Sequence, residues 1–111
     1  MKHRYCFALD LKDDPKVIEG YKKRHDPIPP HILKTIIDAG IDVMDIYITG
    51  NRLFMIMETN ETFSFSKKDA ADAADPLVQE WEQLMWTYQQ PLPWAKPGEK
   101  WVLMEQLFKL K

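Results

Sequence analysis

Two strongly apolar runs in the middle of the chain alternate with a period of two, which predicts a pair of β-strands. They extend over 41–49 and 52–58, and Gly50-Asn51 between them suits a two-residue hairpin turn. One face of each run carries large aliphatic side chains: Met44, Ile46 and Ile48 in the first, Leu53, Met55 and Met57 in the second. Because the opposite faces are also largely apolar, we expect a second subunit to cover the side that helices leave free.

Strands are also predicted near both ends of the chain. Over 4–11 large apolar residues alternate with Cys6 and Ala8, which predicts a central strand in which Cys6 is a small buried residue. A second alternating pattern, from Trp101 to Leu110, predicts the final strand.

Capping residues and prolines mark the helices between these strands. Asp14-Pro15 and Asp75-Pro76 each pair an N-cap carboxylate with a proline at the first helical position. Pro29-Pro30 can start another helix, with Gly40 as its stop and His31 on its solvated side. The alanine-rich stretch 62–75 predicts a weaker helix, capped near Thr62 or Ser66.

The order of elements is strand, helix pair, strand, strand, helix pair, strand. This predicts an α+β fold of the ferredoxin-like βαββαβ type with each helical crossover split in two. At 111 residues the chain has room for one domain, residues 1–111. Two such sheets packed face to face make a dimeric α+β barrel, so we expect a homodimer.

Composition and motifs exclude several classes of function. A net charge of -2 argues against a nucleic-acid partner. The apolar runs are shorter than the roughly 20 residues that span a bilayer, and the N-terminus lacks a long apolar segment, so we expect a cytoplasmic protein without a membrane partner. Cys6 is the only cysteine, the three histidines do not form a metal-ligand cluster by spacing, and neither a phosphate-binding glycine loop nor an HExxH motif occurs, so we expect no zinc site and no phosphate-binding loop.

The stretch 21–30 carries the clearest candidate chemistry. Tyr21 and His25 are four residues apart, so on a helix both side chains lie on one face and can reach one small ligand. His25 would stand at the helix C-terminus beside Asp26, which suits a proton donor. The alternative is that Tyr21 packs in the core and His25 only caps the helix.

Three segments resemble the L-rhamnose mutarotase family: the run from Glu19 to Pro30, the segment Asp45-Ile46-Tyr47-Ile48, and the helix around Val78-Gln79-Glu80-Trp81. The most specific is the pattern Tyr-x-x-x-His-Asp-Pro-Ile before a helix start. The resemblance covers nearly the whole chain. It implies a dimeric α+β barrel that interconverts the anomers of a 6-deoxy-L-sugar without a metal or organic cofactor.

The resemblance also implies roles for individual residues. It makes His25 the proton donor, Tyr21 a catalytic and sugar-contacting residue, and Trp81 a wall of the sugar site. Two positions differ from the family pattern: Glu82 replaces a second tryptophan, and Met44 with its neighbours replaces a tyrosine that precedes Tyr47. We expect Glu82, Met44 and Tyr47 among the substrate contacts, and L-rhamnose and L-fucose are both open as the sugar.

Mutarotation requires a proton for the ring oxygen and an acceptor for the proton of the anomeric hydroxyl. The sequence leaves Asp45, Glu58 and a bound water open as that acceptor. Two other functions remain open on the same fold: a cofactor-free or haem-dependent oxygenase, and a non-catalytic sugar-sensing module.

Overall fold

The computed structural model describes residues 2–111. Five strands and four helices follow one another along this part of the chain. In order they are β1 (His3–Leu11), α1 (Pro15–Arg24), α2 (Pro30–Asp38), β2 (Ile41–Thr49), β3 (Arg52–Thr59), α3 (Phe65–Ala73), α4 (Pro76–Tyr88), β4 (Gln89–Gln90) and β5 (Val102–Leu103). None of these helices is long and apolar enough to cross a bilayer.

The strands form one antiparallel sheet in the order β2-β3-β1-β4, with β5 also paired to β1. The predicted central position of β1 is therefore confirmed, as is the ferredoxin-like order of strands and split helical crossovers. Thr49 pairs with Arg52 across Gly50-Asn51, so the predicted two-residue turn is confirmed as well. Gly50 takes φ 58°, a left-handed conformation that glycine adopts without strain.

The pairing register separates the two faces of the sheet. Met44 lies opposite Met57 and Ile46 opposite Met55, so these residues share the face on which the helices pack. A bulge between Ile41 and Val43 determines which residues of β2 face the helices, because it leaves one extra residue in this strand. The other face, which we call the outer face, carries Tyr47 opposite Phe54, Asp45 opposite Ile56, Arg4 opposite Glu58, and Cys6 and Ala8 of β1.

Helix starts follow the capping residues. The Asp14 side chain accepts from the N–H of Lys16, and Asp75 accepts from those of Leu77 and Val78, as predicted. The cap of α3 is Ser64 rather than Thr62 or Ser66. His31, expected on a solvated side, is 41% exposed, and its Nε2 lies 2.6 Å from a carboxylate oxygen of Asp75, which links the start of α2 to the cap of α4. This bond lowers the pKa of the Asp75 carboxyl.

The predicted strand from Trp101 to Leu110 is wrong for most of its length. Only Val102–Leu103 pairs, with Phe7 and Ala8, and a strand not predicted, Gln89–Gln90, occupies the edge of β1 further along. The chain turns away although β1 still offers an edge there, since within residues 2–111 no strand pairs with residues 3–6 on that side. Residues 104–111 leave the sheet, and Leu107 is 96% exposed. Cys6, expected to be buried, is half-buried.

Two apolar clusters fill the space between the sheet and the helices. The first is built on Phe7, Ile41, Met55 and Met57, and the second on Leu11, Tyr21, Leu53 and Met85. Trp101 packs against both clusters. Residues of both clusters line the cavity described below: Met55 of the first, and Tyr21 and Met85 of the second.

Gly20 lets α1 approach α4 closely. A Cβ at this position would lie 2.9 Å from Cε1 of the Tyr88 ring, well inside normal contact. The hydroxyl of Tyr88 accepts a hydrogen bond from Nε of Arg24, one turn further along α1. The absence of a side chain at Gly20 thus sets how deeply Tyr21 is inserted.

We predict that Gly20→Ala lowers the free energy of unfolding by about 1 kcal/mol. Overpacking costs about 1–3 kcal/mol, and the helix propensity of alanine recovers at most about 1 kcal/mol of it. In a Tyr88→Leu background the ring edge is gone, so the same change should be neutral or stabilising. Urea unfolding of the four proteins of this double-mutant cycle measures the coupling. Equal losses in both backgrounds would show that the Tyr88 ring is not the obstacle.

Candidate active site

A cavity of about 250 Å³ lies between the helices and the sheet. Its volume suits a small ligand, and its wall is mainly apolar. Every layer of the fold contributes to this wall: Tyr21, His25, Ile28, Ile32, Thr35, Ile36, Met44, Ile46, Met55, Lys68, Asp72, Val78, Trp81, Glu82, Met85, Gln89, Lys100 and Trp101. The predicted pair Tyr21 and His25 therefore meets at one small hollow.

Tyr21 belongs both to the core and to the cavity wall. Its side chain is 4% exposed and packs in the second apolar cluster. The side-chain amide of the buried Gln89 donates a hydrogen bond to the phenol oxygen at 3.4 Å. Burial raises the pKa of Tyr21, so the phenol keeps its proton. Because the oxygen accepts from Gln89, its own O–H is free to donate to a ligand.

His25 is oriented by the end of the helix that carries it. Its Nδ1 lies 2.8 Å from the carbonyl oxygen of Tyr21. A carbonyl can only accept, so Nδ1 carries a proton and Nε2 is the ring nitrogen left for a ligand. The imidazole lies 4.3 Å from the Tyr21 ring and edge-on to Trp81 at 5.8 Å, centroid to centroid. Tyr21 thus packs in the core and His25 ends the helix, as the structural alternative predicted. Both residues also line the cavity.

Trp81 and Glu82 come from the inner face of α4. The cavity-lining positions Val78, Trp81, Glu82 and Met85 follow the spacing of one helical face, with Val78 and Met85 buried. Glu82 is therefore a half-buried carboxylate on an otherwise apolar face. Within residues 2–111 its side chain has no hydrogen-bond or ion-pair partner. A carboxylate in such a place is more often found at functional sites than in structural cores.

Three residues considered from the sequence lie away from this cavity. Tyr47 points to the outer face of the sheet and is 57% exposed. Side chains alternate between the two faces along a strand, so Tyr47 lies on the other face from Met44 and Ile46 of the same strand. Asp45 shares that face and is exposed. Glu58 also lies there and accepts two hydrogen bonds from Arg4. Neither carboxylate is placed to accept a proton from a ligand in the cavity.

Comparison with known proteins identifies the family. The sequence profile of L-rhamnose mutarotase matches residues 4–110. The chain belongs to the L-rhamnose mutarotase family. It is 40% identical over 109 residues to an L-fucose mutarotase of Xanthomonas campestris pv. campestris, a match covering 96% of this chain and 87% of the relative. It is 33% identical over 111 residues to a UPF0734 protein of Dictyostelium discoideum, covering 96% of this chain and 88% of that protein.

A solved structure shares the fold. The crystal structure of an L-rhamnose mutarotase from Formosa agariphila superposes with a TM-score of 0.71, covering 98% of this chain and 99% of that one at 22% identity. Membership in the mutarotase family makes the protein a carbohydrate mutarotase, an isomerase. It favours this activity over the oxygenase and sensor alternatives that the fold alone leaves open.

Several cavity residues of this mutarotase were not identified from the sequence. Gln89 follows the end of α4 directly and gives no local signal of its bond to Tyr21. Trp101 belongs to the segment predicted as a strand. Lys68 and Asp72 have the spacing of an ordinary helix-surface ion pair, yet they line the cavity. Solvent-facing and cavity-facing positions of a short polar helix look alike in sequence.

A larger concavity, of about 810 Å³, lies at the outer face of the sheet. It is an open groove between the sheet and the segment after β5, lined among others by Cys6, Phe54, Glu58 and Met104. The residues of the family's Tyr-x-x-x-His pattern are absent from its wall and line the smaller cavity instead. Among residues 2–111, no group of three or more histidine, cysteine, aspartate or glutamate side chains is arranged to hold a metal ion.

Proposed function

We propose that this mutarotase interconverts the anomers of a 6-deoxy-L-hexose in the cavity that holds His25, and that L-fucose is its preferred sugar. The observation that carries the proposal is the orientation of His25: Nδ1 is held by the Tyr21 carbonyl, which leaves Nε2 for the ligand. The choice of L-fucose is supported by the 40% identical relative of that name. Glu82, which replaces a tryptophan of the family pattern, supports a sugar contact that differs from that of L-rhamnose enzymes.

The proposed reaction is a reversible ring opening. Nε2 of protonated His25 donates its proton to the ring oxygen as the bond from that oxygen to the anomeric carbon breaks. We assign the proton of the anomeric hydroxyl to a bound water, because Asp45 and Glu58, the carboxylates considered from the sequence, lie on the outer face. The open aldehyde rotates, the ring closes on its other face, and both protons return. No net proton is consumed.

The other cavity residues hold the sugar during these steps. The free O–H of Tyr21 donates to a sugar oxygen near His25. The Trp81 indole offers an apolar face to the C–H surface of the sugar. Met44 lies against the remaining apolar part of the ligand, and the Glu82 carboxylate accepts hydrogen bonds from hydroxyl groups. Keeping these groups in one largely apolar cavity supplies the orientation that the reaction needs.

We predict that His25→Asn slows anomer exchange by about 10²–10⁴-fold, the usual loss for a positioned general acid. Asparagine can still donate to the Tyr21 carbonyl, so α1 should keep its end and the protein should fold. Saturation-transfer NMR between the anomers of L-fucose measures the rate, and circular dichroism measures folding. Tyr21→Phe should be milder if the phenol only orients the sugar.

His3→Asn is the matched control, because His3 is an exposed histidine at the start of β1 and outside the cavity. The His3→Asn protein should exchange the anomers at the same rate as the wild type. A folded His25→Asn protein that exchanges within a factor of about two of wild type would mean that this histidine only ends the helix.

We predict that Glu82→Trp changes the ratio of rates for L-fucose and L-rhamnose by about tenfold or more, since one hydrogen bond to a charged group is worth about 1.5–3 kcal/mol. The rates come from the same NMR assay with each sugar. Glu80→Trp, an exposed position of the same helix, is the control and should leave the ratio unchanged. An equal loss on both sugars would contradict the selectivity role and point to Glu82 as the acceptor of the anomeric proton.

We also propose that the protein is a homodimer in which a second copy covers the outer face. On that face Phe54 and Ile56 are only half-buried, and Tyr47 is exposed. The segment after β5 adds apolar side chains without cover: Phe108 is 75% exposed and Leu110 82%. These surfaces are continuous with the large groove beside the sheet. A cytoplasmic location remains a prediction from the sequence.

We predict that sedimentation at micromolar concentration gives a dimer, with well over about 1,200 Å² of surface buried in total. The double variant Leu107→Asp, Phe108→Asp should sediment as a monomer, because a carboxylate cannot be buried unpaired. Leu77→Asp, at an exposed leucine on α4, is the control and should remain dimeric. A well-folded wild-type monomer at these concentrations would contradict the proposal.

A further inference from the structure

Lys68 and Asp72 form an ion pair in the wall of the cavity. They stand one turn apart on α3, and Nζ of Lys68 lies 2.6 and 2.9 Å from the two oxygens of Asp72. Their side chains are only 16% and 17% exposed. Both line the cavity that contains His25 and Trp81. They also line a second hollow of about 380 Å³, so the pair stands between the two spaces.

The chain contains a second lysine and aspartate pair with the same order and spacing. Lys34 and Asp38 form an ion pair on α2, where their side chains are 69% and 58% exposed. An exposed ion pair of this kind already supplies the stabilisation that an i,i+4 contact gives to a helix. Burial adds a desolvation cost that a surface pair does not carry. The stability of α3 therefore gives no reason to place Lys68 and Asp72 in the cavity wall.

A hydrogen bond from α4 to the backbone of α3 helps to position the ion pair. The side-chain amide of Gln79 on α4 donates to the carbonyl oxygen of Asp72 at 2.9 Å. This bond ties the last turn of α3 to the helix that carries Trp81 and Glu82. α3 has no buried residue of its own, and its inward side is set by this contact with α4 together with the packing of Phe65 against the rings of Tyr5 and Phe7.

We propose that Lys68 and Asp72 form a hydroxyl-binding subsite that recognises two neighbouring hydroxyl groups of the sugar. The Lys68 ammonium has three N–H donors, of which Asp72 uses two, so one remains for a sugar oxygen. Each carboxylate oxygen of Asp72 keeps acceptor capacity for a hydroxyl proton. A vicinal diol presents one acceptor and one donor side by side, which matches this pair. The inference rests on the proposed sugar ligand of the cavity.

The test compares the two pairs. Asp72→Asn and Lys68→Met should each raise KM for L-fucose about tenfold or more, with kcat within a factor of about three, because a binding contact is lost and the reacting groups stay. The corresponding changes Asp38→Asn and Lys34→Met should leave both constants unchanged. The same variants should lose affinity for 1,5-anhydro-L-fucitol, which lacks the anomeric hydroxyl and cannot react. Calorimetry measures this binding, and thermal melting confirms folding.

Unchanged KM and unchanged affinity for the anhydro sugar in folded Asp72→Asn protein would overturn the inference. If either single variant unfolds, the exchanged pair Lys68→Asp, Asp72→Lys restores the charge contact while exchanging donor and acceptor. Weakened binding by that folded protein supports the subsite, and wild-type affinity overturns it. Failure of the wild type to exchange the anomers of any 6-deoxy sugar would instead contradict the proposed function, so the two failures are distinguishable.

Discussion

The insertion of Tyr21 between the sheet and α4 is the contact on which the site depends. Its ring packs with Leu11, Leu53 and Met85, residues from three other elements. Its hydroxyl meets Gln89 at the cavity, and its carbonyl holds the imidazole of His25. One residue therefore fixes the depth of α1 and the orientation of the candidate acid. Side chains held by a packed core are the ones that keep a reactive geometry within a fraction of an ångström.

The end of α1 shows how a structural requirement and a functional one coincide. The last carbonyls of a helix lack partners in the helix itself, and here the side chain of His25 satisfies that of Tyr21. The bond that completes the helix therefore also selects the His25 tautomer. Immediately afterwards the chain turns through Asp26-Pro27 and restarts as a helix at Pro30, which keeps α1 short. A longer helix would carry residue 25 in its interior, with the backbone N–H competing for the same carbonyl.

Local signals in the sequence predicted the features that local physics decides. Asp14-Pro15 and Asp75-Pro76 start helices because capping needs only neighbouring residues. The spacing of Tyr21 and His25 predicted their shared face for the same reason. The segment from Trp101 onward was misassigned, because an alternating pattern carries no information about where the chain turns away from β1.

Contacts between elements that are distant in the chain could not be predicted from the sequence, because they depend on how the elements pack. Nothing near Gln89 indicates a bond to a residue 68 positions away. Lys68-Asp72 and Lys34-Asp38 have the same residue types and spacing, and only the packing of α3 on α4 separates them. Tyr47 was placed in the site through resemblance, whereas the phase of β2 after its bulge directs this side chain to the outer face.

In the proposed sugar site, the few polar groups would matter more for selectivity than the apolar walls. Walls such as Met44, Met55 and Trp81 distinguish ligands mainly by size, and a methylene more or less in an apolar pocket changes binding by only about 1–3 kcal/mol. A site built to hydrogen-bond a ligand group discriminates more strongly, by about 10⁴–10⁵-fold, against a ligand that leaves its buried polar groups without partners. A sugar whose sixth carbon is a methyl group can place it on these walls. In the proposed site a hydroxymethyl group at that position would bury a hydroxyl against these walls, which would favour 6-deoxy sugars, while the polar residues would choose among them.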